Sequence, residues 1–199
     1  QLTAALVDFQ DQYGQVEIVL SVGDKATDLV AERVDLAVRL TNNLDSTMIT
    51  RPLARCHSML CASPGYLERH GMPRTAEELR QHRCIAHAFG IGKQYRFTRA
   101  GQTLTVPVDW SFHTNETAVL RRAVLSGAGV GMLPTYYLGD DLRAGRLVRL
   151  LPDYEPDVLG IHAIYLSRQH QPLALRLLVD FLAARFAGDP APWDLALKL

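Results

Sequence analysis

The chain has 199 residues, 48% of them hydrophobic and 21% charged, the proportions of an ordinary globular domain or of two small lobes. Basic and acidic side chains number 21 each, so the formal net charge is zero and no cationic surplus exists to neutralise a phosphate backbone; DNA binding by this chain alone is disfavoured. No apolar run reaches membrane-spanning length and no signal-peptide pattern opens the chain, while Cys56, Cys61 and Cys84, without a CxxC pair, read as reduced buried thiols of a cytoplasmic protein.

Leu2, Ala5, Leu6, Phe9 and Tyr13 share one helical face, and Gly14 ends that helix. Val16, Ile18, Leu20 and Val22 alternate with Glu17 and Ser21, which predicts a strand. Gly23 and Asp24 then turn the chain into a short helix over 25–33, and 36–38 reads as a buried strand. Helix, strand, helix, strand is the rhythm of a parallel sheet. The loop RLTNNLDST leaves the carboxyl end of that strand, where open α/β sheets bind ligands.

Residues 55–62 alternate as a strand. Ser63 and Pro64 give an N-cap and a proline at the first helical position, for a helix that Gly71 stops. Thr75 and Glu78 have capping-box spacing. Residues 84–87 form a strand, AFGIGKQ a glycine loop, and 95–97 and 104–108 the arms of a hairpin turning at Ala100-Gly101.

The stretch 112–134, FHTNETAVLRRAVLSGAGVGMLP, organises the rest. It reads as loop, helix, glycine turn and buried strand. Asn115 stands at the N-cap position, and Val119, Leu120, Ala123 and Val124 form the apolar face, with Arg121 and Arg122 off it. Gly127 supplies the C-terminal cap and Pro134 stops the strand. The free N–H groups at the helix start suit a small anion. Gly127, Gly129 and Gly131 are not a dinucleotide fingerprint, because they close a helix and open a strand, the reverse of the required order. After it come a helical turn over 140–145, strands over 146–151 and 158–167, and a last helix opened by Pro172, with Leu175, Leu178, Val179, Leu182 and Phe186 as its core stripe.

Catalytic and metal motifs are missing. There is no HExxH, no GxSxG elbow and no P-loop. His82, Cys84 and His87 lack a fourth ligand at zinc-site spacing, and Asp140-Asp141 reads as a solvated helix start. The expectation is no enzyme, no metal and no cofactor.

In order, DLVAERVDLAVRL, LDSTMITRPLA, LCASPGYLERHG, the 112–134 stretch and GRLVRLLPDY resemble the effector-binding domain of a LysR-type transcriptional regulator, from about residue 2 to residue 186. The resemblance implies an α/β, two-lobed type 2 periplasmic-binding-protein-like fold. Each lobe would be a mostly parallel sheet flanked by helices, and two crossover strands near 58–63 and 158–166 would join them. Lobe I would comprise 1–62 plus 163–187, lobe II 63–162, and 188–199 a C-terminal tail.

It further implies a small-molecule effector, a carboxylate being one candidate, bound between the lobes. Gly23, Asp24, Thr41 and Asn42 would line the site from lobe I. Phe89, Gly90, Thr114, Asn115, Pro134 and Thr135 would line it from lobe II. Asp24 would repel a second anion and would accept instead from a hydroxyl or amine. The family's helix-turn-helix, linker helix and first strand with its hydroxyl-bearing loop have no counterpart in these residues, so DNA binding would belong to an N-terminal domain outside them. The family also implies a homodimer, a homotetramer at full length, with helix 2–13 of one subunit antiparallel to helix 116–126 of another and Arg121 and Arg122 near that contact. A transporter's solute-binding protein shares the fold and is the alternative; an enzyme on this fold would need the catalytic constellation not found.

Overall fold

A computed structural model describes residues 1–23, 28–88, 94–166 and 171–197. In chain order its elements begin with α1 (Leu2–Gln12), β1 (Ala37–Leu40), β2 (Ile49–Cys56), β3 (Ser58–Ala62) and α2 (Pro64–His70). There follow β4 (Cys84–His87), β5 (Gln94–Arg99), β6 (Gln102–Pro107), β7 (Trp110–Thr114), α3 (Thr117–Leu125) and β8 (Val130–Pro134). The remainder are α4 (Gly139–Arg143), β9 (Val148–Arg149), β10 (Glu155–Pro156), β11 (Leu159–Tyr165) and α5 (Leu173–Arg185). The chain divides into two compact units: Gln1–Cys56 with Leu159–Leu199, and His57–Val158. These divisions fall a few residues before the expected 62/63 and 162/163, because the run 55–62 is not one strand but β2 and β3, interrupted at His57.

The first unit holds the sheet β1-β11-β2, with both pairings antiparallel. Ile161, Ala163 and Tyr165 of the central strand are buried, as are Val179 and Leu182 of α5. Phe9 of α1 is fully buried and meets Phe181 of α5 edge-on, ring centroids 5.4 Å apart. Burying one such side chain contributes about 1.5–3 kcal/mol. An ion pair between Arg185 and Asp8, 2.6 Å, joins the same two helices at the surface. The expected tail is not a loose end: Ala191 and Asp194 are fully buried, and Trp193 packs edge-on against Phe186 at 5.6 Å.

Two expectations fail in this unit. Residues 16–22 are not a strand; they have no ladder partner among the described residues, and Val19 and Val22 stand 88% and 80% exposed. Of the expected helix 25–33, residues 29–33 form only turns, stabilised by Asp28 Oδ1 accepting from the N–H groups of Val30 and Ala31. An aspartate that satisfies two backbone donors locally favours a turn over a continuing helix.

The second unit holds a five-stranded sheet, β7-β4-β8-β3-β9, and a three-stranded sheet, β10-β5-β6. β4 runs parallel to β7 and β8, whereas β3 runs antiparallel to β8 and β9. The α/β class therefore holds, with strand directions more mixed than the expected mostly parallel sheets. The hairpin β5–β6 turns on Ala100 and Gly101, with φ of 49° and 77°, the pair of left-handed residues that a two-residue turn requires. Tyr66, Leu79, Cys84, Tyr95, Phe97, Val106 and Val130 build the core between the sheets and α2. Inside it the Tyr95 hydroxyl donates to the Ile85 carbonyl at 2.8 Å, and burial holds its pKa well above the usual value.

The glycines of the 127–131 turn have physical work. Gly127 has φ of 76°, and a Cβ on Gly129 would collide with the carbonyl oxygen of Arg83. That carbonyl accepts the Val130 N–H at 2.8 Å, so the close approach brings β8 alongside β4. The three cysteines are free and buried, and burial first of all pushes each thiol up to about 12. Thiols held protonated in this way are poor nucleophiles at neutral pH.

Candidate functional site

In the second unit three adjacent strands, β7, β4 and β8, run parallel, so their carboxyl ends lie along one edge of the sheet. Thr114 ends β7, His87 ends β4 and Pro134 ends β8. The structure thus brings Thr114, Asn115, Pro134 and Thr135 to a single edge, the position from which open α/β sheets bind small molecules. Phe89 and Gly90, which come after β4 in the sequence, lie outside the described residues.

Local hydrogen bonds fix the edge. The Thr114 carbonyl accepts from Ala88 N–H at 2.7 Å, and its Oγ1 accepts from Glu116 N–H at 3.2 Å. Thr135, 1% exposed, donates from both its N–H and its hydroxyl to the His57 carbonyl, at 2.9 and 3.2 Å. Thr135 therefore ties the end of β8 to the entry of β3 and has its donors engaged. Thr114 and Asn115 are partly exposed and exposed, respectively, and remain open to a ligand.

The N-cap of α3 is Glu116, not Asn115: the Glu116 Oε1 accepts from Ala118 N–H at 3.1 Å. The one-residue error arose because β7 extends to Thr114, leaving Asn115 as its connection to the capping residue. A carboxylate at this position already serves the first free N–H groups and weakens the case for a second anion directly on the axis of α3.

In the first unit Thr41 and Asn42 follow β1 directly. Thr41 N–H donates to the Gly160 carbonyl at 2.9 Å, and Asn42 Oδ1 accepts from Gly160 N–H at 2.8 Å, which binds this turn to β11. The Thr41 hydroxyl is part of a closed turn with Asn43, donating to its carbonyl at 3.1 Å and accepting from its N–H at 2.9 Å. Gly23 is exposed, and a Cβ there would meet nothing within 4 Å. Asp24 lies outside the described residues.

The aspartate pair differs from its expected reading. Asp140 is solvated and pairs with Arg143 at 2.6 Å, but Asp141 is fully buried. Its Oδ2 accepts from Arg121 Nε at 2.6 Å, and its Oδ1 from Arg146 Nε at 2.8 Å and Nη2 at 2.7 Å. Arg121 is thereby engaged within its own chain. Sequence spacing held no signal for this triad, whose members come from α3, α4 and the turn after α4. Among the described residues no group of three or more His, Cys, Asp or Glu is placed to hold a metal ion, and no helix is long and apolar enough to cross a membrane.

The two-unit α/β chain has the fold class of domains related to type 2 periplasmic binding proteins. The family model of the LysR substrate binding domain matches residues 1–187, and the chain belongs to that family. A probable HTH-type transcriptional regulator, LtrA of Klebsiella pneumoniae, is 30% identical over 94% of this chain and 63% of its own length. The HTH-type transcriptional regulator PtxR of Pseudomonas aeruginosa is 32% identical over 92% and 59%. The chain thus spans about three fifths of the curated relatives it matches. Among solved structures, the CrgA regulatory domain of Neisseria meningitidis, a LysR-type regulator, superposes with a TM-score of 0.83 at 26% identity, covering 94% of this chain and 92% of that one. Full-length AphB, a virulence activator of Vibrio cholerae, superposes at 0.82 with 28% identity, over 92% and 63%.

Proposed function

We propose that this chain is the effector-sensing and dimerisation part of a LysR-type transcriptional regulator acting in the cytoplasm, with DNA contacts made by a part of the protein outside these residues. The observation that carries the reading is the shared carboxyl-end edge of β7, β4 and β8, on a chain of the LysR substrate-binding family. A small polar effector binds there and at the turn of Thr41 and Asn42, with Gly23, Asp24, Phe89, Gly90, Thr114, Asn115, Pro134 and Thr135 completing the site. Its role is binding, not turnover. The effector favours one arrangement of the two units because it binds that arrangement more tightly, and this difference in affinity shifts the oligomer's geometry.

Dimerisation follows from α1 of one copy lying against α3 of another. Val7 of α1 and Val119 of α3 are 52% and 46% exposed, apolar positions suited to such a contact. Arg121, expected near that contact, is held by Asp141 within its own chain.

The test is a thermal-shift screen of the purified chain against small carboxylates, aromatic acids and amino acids. A ligand that binds only the folded form stabilises it in proportion to the logarithm of its concentration above Kd, by about 2.7 kcal/mol at a hundredfold excess, and raises the melting temperature accordingly. The rise should fall in a Thr114→Ala, Asn115→Ala double variant that melts normally without ligand. A hit that is unaffected by this variant places the effector elsewhere.

A further inference from the structure

At the other edge of the same five-stranded sheet lies a solvent-open cavity of about 640 Å³. Ser63, Pro64 and Gly65, which follow the carboxyl end of β3, form one side, and Ser126 and Gly127, which precede the start of β8, form another. Because β3 and β8 are antiparallel, this edge is opposite the one that carries Thr114 and Pro134. Four arginines line the cavity (Arg69, Arg121, Arg122 and Arg146) against one acid, Asp141. The lining thus holds a surplus of three positive charges in a chain whose formal net charge is zero.

The arginines are held in place from within the chain. Asp141 clamps Arg121 and Arg146 at 2.6 to 2.8 Å. Arg69 donates from Nε to the Gly65 carbonyl at 2.9 Å and from Nη2 to the Gly127 carbonyl at 3.4 Å, which fixes its guanidinium between α2 and the turn after α3. The Arg122 side chain is exposed and has no hydrogen-bond or ion-pair partner among the described residues; only its backbone carbonyl is engaged, accepting from Ser126 N–H at 3.0 Å. Each guanidinium has more N–H donors than these contacts use. A group of positioned forks with unspent donors and one shared counter-charge is built to receive oxygen anions, which guanidinium groups bind with paired, parallel hydrogen bonds.

We propose that this cavity is a binding site for a compact oxyanion carrying two or more negative charges, either a phosphate group or a polycarboxylate. Arg122 supplies the unpaired cation, Arg69, Arg121 and Arg146 the fixed ones, and Ser63 a hydroxyl. The site stands apart from the effector reading, since it uses the opposite sheet edge and none of the same residues. Occupancy relieves the mutual repulsion of the guanidinium groups and braces α2 against α3.

Calorimetric titration of the whole chain with sodium phosphate, and separately with citrate, in chloride buffer of matched ionic strength tests it. The expected result is saturable binding of at least one anion at one site per chain, and the tighter of the two identifies the source of the oxyanion. Arg122→Gln should weaken that binding about tenfold, the scale of one charge-assisted contact. Arg96→Gln, which removes the same charge from β5 at a surface pair with Asp157, should leave it unchanged. Heats no greater than the chloride control with both anions would overturn the proposal, as would equal affinity in the Arg122→Gln variant or equal weakening by Arg96→Gln. Both substitutions are at exposed side chains, and unchanged melting temperatures without anion establish that the variants fold.

Discussion

β4 of the second unit and residues 16–22 of the first are both short apolar runs, yet they have opposite fates. β4 is paired on both sides, and its Cys84 and Ile85 are fully buried. The run 16–22 alternates more regularly, but it has no ladder partner among the described residues and leaves two valines in solvent. A strand is a property of a pair, since the backbone N–H and C=O groups of an extended segment need a neighbour as much as its side chains need a core. Among the described residues the first unit has one three-stranded sheet, whereas the second has a three-stranded and a five-stranded one.

If the second unit is the tightly specified one, substitutions inside it should be costly. The largest effect is expected for Asp141→Ala, which leaves Arg121 and Arg146 without their shared buried carboxylate. Both arginines keep partial access to water, so the loss should fall near the low end for a broken buried ion pair, about 3 kcal/mol, read from urea denaturation. Next is Gly129→Ala. Its methyl group meets a backbone carbonyl that cannot swing aside, and a loss of about 1–3 kcal/mol is expected, with a lower urea midpoint. The smallest effect belongs to the first unit: Val19→Lys should change stability by no more than about 0.5 kcal/mol, because that side chain packs on nothing, while reducing aggregation measured by light scattering. A large loss from Val19→Lys would show that 16–22 is paired in solution and would erase the contrast.

The same contrast accounts for what could be read from the residues alone. α1, α2, α5, β4, β8 and the β5–β6 hairpin carry their own signals: apolar periodicity, Ser63-Pro64 at a helix start, and Ala100-Gly101 at a turn. The breaks came where a distant group decides. Glu78 does accept a backbone N–H as a capping residue would, but from Arg74 at 2.8 Å, and it introduces a 3-10 turn over Glu77–Gln81 instead of an α-helix. β7 went unread because Trp110, Phe112 and Thr114 become a strand only by lying beside β4. Among the candidate site residues, the strand-end positions followed from topology, whereas the engagement of Thr135 with His57 and of Asn42 with Gly160 joins residues far apart in the chain. The burial of Asp141 was equally illegible, because an acidic pair at a helix start looks the same whether or not arginines from elsewhere converge on it.

The packing of Trp193 onto Phe186 has a spectroscopic consequence. The chain has two tryptophans, and the folded-back C-terminal segment places one of them in the first unit while Trp110 belongs to the second. Each unit therefore contains its own tryptophan, and phenylalanine at either position leaves a single tryptophan, excited selectively over the tyrosines at the red edge of absorption, that reports on one unit. With that pair of proteins, the order in which the units melt can be followed by ordinary emission spectra, without attaching any dye.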